Sequence, residues 1–296
     1  MKPGELTRAV IEAARSVAKD AGVRAVFLNA DLVSDPAQLK GLFGETEVIL
    51  FARKRLRAPR LQGVAEKIIH LPPVALNRIA QIKLTALLAL SKGYLQLGDV
   101  ILFLSGIQHL GALDTMMVLE VGEEFELVSL KEGGSFVKVV NPEVFGRVVD
   151  LAVELAQEGR EGKPLGGLFV LGDTEEVTKY VDQLVLNPFQ GHPEERRNIL
   201  DPQVLESVKE FCAIDGAFVI RSDGVIVTGG AFLRPPVPGE ELPPGLGARH
   251  AVAASMSAST DAVIVTLSES TGTVRIFEGG RMVTEIERGP RKRGGT

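Results

Sequence analysis

The chain has 296 residues, room for two ordinary domains, and 45% of them are hydrophobic against 24% charged, as in water-soluble globular proteins. A formal net charge of -5 excludes a protein whose main work is to coat nucleic acid or an anionic membrane, although an anionic small substrate needs only a local basic pocket. Cys212 is the single cysteine, so an intrachain disulfide and a cysteine-built zinc cluster are excluded and a reducing cytoplasm is expected.

Residues 4–21 place Val10, Ile11, Ala14 and Val17 on one helical face, and Gly22 closes the segment. Charges at Glu5, Arg8, Glu12, Arg15 and Lys19 break the apolar rhythm, so no secretory leader is expected there. Residues 23–28 (VRAVFL), 47–52 (EVILFA) and 99–104 (DVILFL) read as buried strands, with a helix from Asn77 to Ser91 before the last. The richest apolar run, Ile79 to Leu90, carries Lys83 and falls short of the roughly 20 residues of a membrane span; it is expected in a core. Helices alternating with short apolar runs imply parallel strands joined by crossover helices. Residues 115–121 and 124–129 suit a closing antiparallel strand or hairpin, and Val137 to Val140 a further strand. Asn141-Pro142 then caps a helix from about Glu143 to Gln157. The domain boundary is placed near residue 140, after the break at Lys131 to Gly134.

The second half has a different texture. Residues 166–172 (GGLFVLG) form a strand leaving a glycine pair, and Leu205 to Phe211 a helix. An alternating hairpin follows, turning at Ser222-Asp223-Gly224. Gly247 to Ser259 reads as a helix of small residues, 262–268 as a strand, and 273–286 as a hairpin turning at Gly279-Gly280. The last residues, 291–296, read as a basic tail.

Three segments put polar residues where a plain core would not want them. Asp215-Gly216-Ala217 holds a carboxylate just before an apolar strand, with a glycine that permits close approach; the plainer reading is an ordinary turn. Gly247-Ala248-Arg249-His250 opens a helix, and cations in that first turn oppose the helix dipole. Either an anionic ligand offsets them or they are a solvated arginine and a packed histidine. Ser268-Glu269 ends a buried strand, where ligands sit in open sheets, although a polar turn explains the segment as well. Other features carry less. Gly159 to Pro164 has the wrong glycine spacing for a phosphate-binding loop, His192 lacks the second histidine of a zinc protease motif, and His70 and His109 stand alone. Cys212 lies on an apolar helix face and is expected in the core.

Taken in order, Asp215-Gly216-Ala217, Gly247-Ala248-Arg249-His250, Thr260-Asp261-Ala262, Ser268-Glu269 and Thr271-Gly272 resemble the diadenylate cyclase (DAC, or DisA_N) domain family. Gly166 to Val170 and Asn187 to Gly191 also look like that family, and the resemblance covers about residues 143–288. It implies an α/β domain with a mixed sheet that binds ATP with Mg²⁺ or Mn²⁺ and works face to face with a second subunit, making cyclic di-AMP. It further implies that Asp215, Arg249 and His250 are catalytic. Gly216, Ala217, Gly247, Arg249, His250, Ser268 and Glu269 would bind ATP, and Asp215 and Glu269 would hold the metal. Two of these motifs depart from the family pattern. The family commonly has threonine where this chain has Ala248 and a second arginine where it has Ala251, and it commonly has a second glutamate at Ser270. A compensating cation, Arg221 or Arg234, is expected; the alternative is a nucleotide or cyclic di-AMP sensor with a degenerate site.

Asp99 to Gly106 and Thr115 to Leu119 resemble, more loosely, the C-terminal domain of pyruvate kinase, which implies an α/β sandwich for residues 1–140 with a regulatory or assembly role. Arg53, Lys54, Arg55, Arg57 and Arg60 crowd the loop after the second strand. A solvated charged loop is the plainer reading, and a site for a phosphometabolite effector the alternative. The expectation is therefore a cytoplasmic two-domain α/β enzyme, divided into 1–140, 141–290 and the tail, with no membrane or nucleic-acid partner.

Overall fold

The computed structural model describes residues 2–33, 39, 41–53, 65–107, 110–122, 140–160, 163–239 and 245–287. The chain forms two compact units, Met1–Phe125 and Glu126–Thr296, each α/β. The elements expected at 124–129 and 137–139, the break at 131–134, most of the basic loop (54–60), His109 and the tail all lie outside the described residues. No helix among the described residues is long and apolar enough to cross a membrane.

In the first unit, helix α1 (Pro3–Asp20) opens on Pro3, and the Glu5 carboxylate accepts the Lys2 N–H at 3.0 Å. Strands β1 (Ala25–Asn29), β2 (Glu47–Ala52), β3 (Lys67–His70), β4 (Val100–Ser105) and β5 (Thr115–Glu120) make one sheet in the order β3-β2-β1-β4-β5. Its first four strands are parallel and β5 closes it antiparallel to β4, as the alternation of elements implied. Phe27 stacks on Phe103 at 4.7 Å, with Phe51 edge-on, so one aromatic layer joins three strands. Helix α2 (Arg78–Ser91) is buried over most of its surface, and Asn77 caps it by accepting the Ala80 N–H at 2.7 Å. Its one buried amide, Gln81, is satisfied by Asn29 and Ser105, each at 3.1 Å. Arg53 is tied down rather than offered to solvent: its N–H reaches Asp31 at 2.8 Å and its guanidinium the Val74 carbonyl at 2.9 Å.

In the second unit, helix α3 (Pro142–Glu158) starts at the expected Asn141, whose side chain accepts the Glu143 N–H at 2.8 Å. Strands β6 (Gly167–Leu171), β7 (Val181–Gln183), β8 (Ala217–Ile220), β9 (Ile226–Leu233), β10 (Val263–Leu267), β11 (Val274–Glu278) and β12 (Arg281–Ile286) form a mixed sheet. The order is β12-β11-β10-β6-β8-β9-β7, parallel only between β6 and β8. Helix α4 (Pro202–Phe211) precedes β8, and α5 (Ala248–Ser259) packs on β10, β11 and β12. Strand alternation sends Val170, Val219, Ile264 and Phe277 to the α5 cluster, and Phe169 and Phe218 to the other face, where they stack at 5.4 Å. Cys212 caps α4 and is buried; burial pushes its thiol up to about 12, which leaves it an inert core residue.

Candidate active site

Gly216 makes the entry to β8. Its φ is 119°, and a Cβ there would stand 2.6 Å from the carbonyl carbon of Gly230 on β9. The chain can therefore cross β9 closely and leave Asp215 at the strand mouth with its side chain 75% exposed. The Asn187 segment buttresses this crossing. The Asn187 amide donates to the Val227 carbonyl at 3.0 Å, and its oxygen accepts the N–H groups of Phe189 and Gly229 at 3.0 and 3.3 Å.

Helix α5 begins at Gly247 with no side-chain cap, so Arg249 and His250 fall in its first turn. Arg249 bridges the two expected carboxylates. Its Nη2 donates to Asp215 Oδ1 at 3.0 Å, and its Nη1 lies 3.7 Å from Glu269 Oε2. The guanidinium lies over Gly166, where a Cβ would be 2.4 Å from Nη1. Glycine at 166 is thus part of the site, signalled in the sequence by the glycine pair ahead of β6 and by the family resemblance of Gly166 to Val170. Glu269 is presented by the turn after β10, closed by Ser268 N–H to the Thr273 carbonyl at 3.0 Å and Gly272 N–H to the Ser268 carbonyl at 2.8 Å.

Asp215, Gly247, Arg249, His250, Ser268 and Glu269 line one cavity of about 670 Å³. Gly216 and Ala217 line a smaller apolar pocket of about 160 Å³ with Leu184, Phe232 and Val252, and the two share Asp215, Ala248 and Arg249. All the expected site residues are therefore gathered in these two adjoining spaces. Thr260-Asp261-Ala262 is not among them. It stands at the far end of β10, where the Asp261 N–H reaches Asp173 at 2.9 Å and ties two loops together.

A residue absent from the sequence reading completes the cavity: Arg275 on β11. Its Nη1 lies 3.2 Å from Nε2 of buried His250, and its Nε donates to Glu285 at 3.1 Å. A guanidinium only donates, so Nε2 accepts and the imidazole is neutral with its proton on Nδ1. Burial above all, then the charge of Arg275, holds the His250 pKa below the usual histidine value. His250 Nδ1 is enclosed, so in this arrangement the ring serves Arg275 rather than an anion. The two residues expected to replace the missing cation are engaged elsewhere. Arg221 is held by Glu194 at 2.6 Å and Asp223 at 2.7 Å beside the hairpin turn, and Arg234 pairs with Asp182.

The arrangement brings two carboxylates, two guanidinium groups and an uncapped helix start to one wall, with an apolar recess beside it. No group of three or more His, Cys, Asp or Glu gathers among the described residues. A metal at Asp215 and Glu269 would thus need ligand oxygens or water to complete its shell, as Mg²⁺ and Mn²⁺ sites on phosphates commonly do.

Residues 154–282 match the DAC family model, described as DisA bacterial checkpoint controller nucleotide-binding, and residues 6–128 match one described as a probable sensor domain, DacZ_P. A diadenylate cyclase of Methanocaldococcus jannaschii is 41% identical over 178 residues, covering 60% of this chain and 56% of that protein. One from Haloferax volcanii is 40% identical over 147 residues, covering 50% of this chain and 54% of that protein. The chain thus spans little more than half the length of these relatives. A pyruvate kinase structure from Cryptosporidium parvum aligns loosely, at 16% identity and a TM-score of 0.33, over 39% of this chain and 22% of that one.

Proposed function

We propose, from the match of residues 154–282 to the DAC family model, that the protein condenses two ATP molecules into cyclic di-AMP and two pyrophosphates. The observation that carries the reading is the bridge from Arg249 to both Asp215 and Glu269 at the wall of a cavity that adjoins an apolar recess. The recess suits an adenine and the larger cavity a polyphosphate.

In this reading adenosine lies against Gly216 and Ala217, and its phosphates meet Gly247, Arg249 and Ser268. Phosphoryl transfer needs alignment and charge neutralisation more than covalent help. The 3′-oxygen of one ATP bonds to the α-phosphorus of the ATP on a facing subunit, while the bond from that phosphorus to the bridging oxygen breaks. Pyrophosphate leaves, the hydroxyl proton passes to Asp215 or solvent, and the same exchange in the other direction closes the ring. Asp215 and Glu269 would hold Mg²⁺ or Mn²⁺, which would supply charge neutralisation when bound. Self-association follows in this reading, because each ATP occupies the cavity of its own subunit.

The test is incubation of the purified protein with ATP and either metal, followed by mass detection of cyclic di-AMP. Wild type should form it, and Asp215→Asn should lose at least about 100-fold in rate. Unchanged turnover in that variant would remove Asp215 from the mechanism. Ala251 and Ser270, which supply neither charge, favour a second reading as a nucleotide or cyclic di-AMP sensor. Tight nucleotide binding without product under either metal would establish it.

A further inference from the structure

Arg249 faces two carboxylates, so by itself it leaves its side of the cavity net negative. A polyanion can settle there only if another positive group meets it. The second guanidinium in the cavity lining belongs to Arg275, which reaches it from a different element, strand β11. Cross-strand register sets Arg275 opposite both Thr266 on β10 and Glu285 on β12, on the face that α5 covers. Glu285 fixes the Nε edge at 3.1 Å, and His250 Nε2 fixes Nη1 at 3.2 Å. The remaining nitrogen, Nη2, has no hydrogen-bond partner among the described residues. The side chain is only 12% exposed, so its fork is held in place before any ligand arrives.

We propose that Arg275 is a phosphate-binding residue, positioned by Glu285 and His250, that supplies the polyphosphate cavity with its second cation. This rests on the nucleotide reading of that cavity. His250 then acts as a positioning residue: neutral, it accepts from Arg275 and aims it, where a protonated ring would repel it. A surface ion pair between Arg275 and Glu285 would need no histidine acceptor and no cavity.

The test is isothermal titration of the full chain, in EDTA to prevent turnover, with ATP, inorganic tripolyphosphate and adenosine. Arg275→Ala should weaken ATP and tripolyphosphate by about 10- to 100-fold and leave adenosine unchanged. Glu285→Gln, which keeps the cation and loosens it, should weaken both phosphate probes by a smaller factor. Arg275→Gln, neutral but still able to bond to His250, replaces the alanine variant if that fails to fold. Phosphate affinities within twofold of wild type in the Arg275 variants, with Arg249→Ala impaired, would overturn the assignment and leave the nucleotide reading intact. A parallel loss of adenosine affinity would reduce Arg275 to a structural role and overturn it too. Wild type that bound neither ATP nor tripolyphosphate in EDTA, nor tripolyphosphate with Mg²⁺ present, would overturn both.

Discussion

At the scale of single residues, burial acts on His250 and Glu278 in opposite chemical senses. The buried imidazole keeps off a proton and so can accept from Arg275. The Glu278 carboxyl, ending β11 with Oε2 buried and without a hydrogen-bond partner, keeps a proton on: burial raises its pKa from 4.5 to about 7. Below about pH 4.5 the folded and unfolded chains both hold that proton. Between about 4.5 and 7 the unfolded chain has released it and the folded chain has not, so stability falls as pH rises, and above about 7 the deficit is constant. Glu278→Gln removes this dependence. Its stability relative to wild type should therefore climb from about pH 4.5 to 7, reaching an advantage on the order of 1 kcal/mol at pH 8 once partial exposure is discounted. Urea unfolding of both proteins across that range checks it; parallel stability profiles would show that Glu278 ionises freely in the folded protein.

At the scale of elements, the start of α5 departs from that of α2, α3 and α4. Asn77, Asn141 and Asp201 each cap a helix through a side chain, whereas Gly247 offers none to α5. Its backbone is extended (φ −81°, ψ −178°) and a Cβ there would meet nothing within 4 Å, so sterics do not demand glycine. An open helix start facing a cavity leaves room and positive field for an anion. Gly247→Asp should accordingly stabilise the fold by a few tenths of a kcal/mol while weakening ATP binding at least tenfold. Thermal unfolding and ATP titration on one preparation read both; a variant with wild-type ATP affinity would detach the helix start from the phosphates. Long periodic segments and capped helices were legible in the sequence because their signal is local: Asn141-Pro142 and the hairpin turn at Asp223-Gly224 name themselves. The short strands β3 and β7 were not, since Lys67–His70 has just two apolar residues at its centre and Val181–Gln183 is mostly polar. Both are edge strands, made by what pairs with them rather than by their own pattern. Arg275 escaped for a related reason. Alternation assigns a strand residue to a face, but only register and packing bring that face to His250 and a cavity.

At the scale of the whole molecule, the proposed reaction asks for more than one chain can hold, and the surface beside the site carries the matching signal. Leu186 is 94% exposed, and Leu184 and Phe232, both 49% exposed, line the apolar recess beside Asp215. Large apolar side chains gathered at the rim of a nucleotide-sized site are costly to leave in water unless something covers them. A second copy of the chain, bringing its own ATP, is the occupant the chemistry requires, and a two-fold arrangement would set each patch against its equivalent. Leu186→Glu places a charge in that contact without touching either cavity, as Leu186 lines neither of them. The variant should sediment as a smaller species than wild type at equal concentration and cyclise at least about tenfold more slowly, a loss of the size that truncating a central interface residue brings. Its affinity for ATP should be that of wild type. Activity per chain should rise with protein concentration in the variant, as assembly is driven by mass action. Cyclisation at the wild-type rate, whatever the sedimentation, would place the facing surface elsewhere on the second unit.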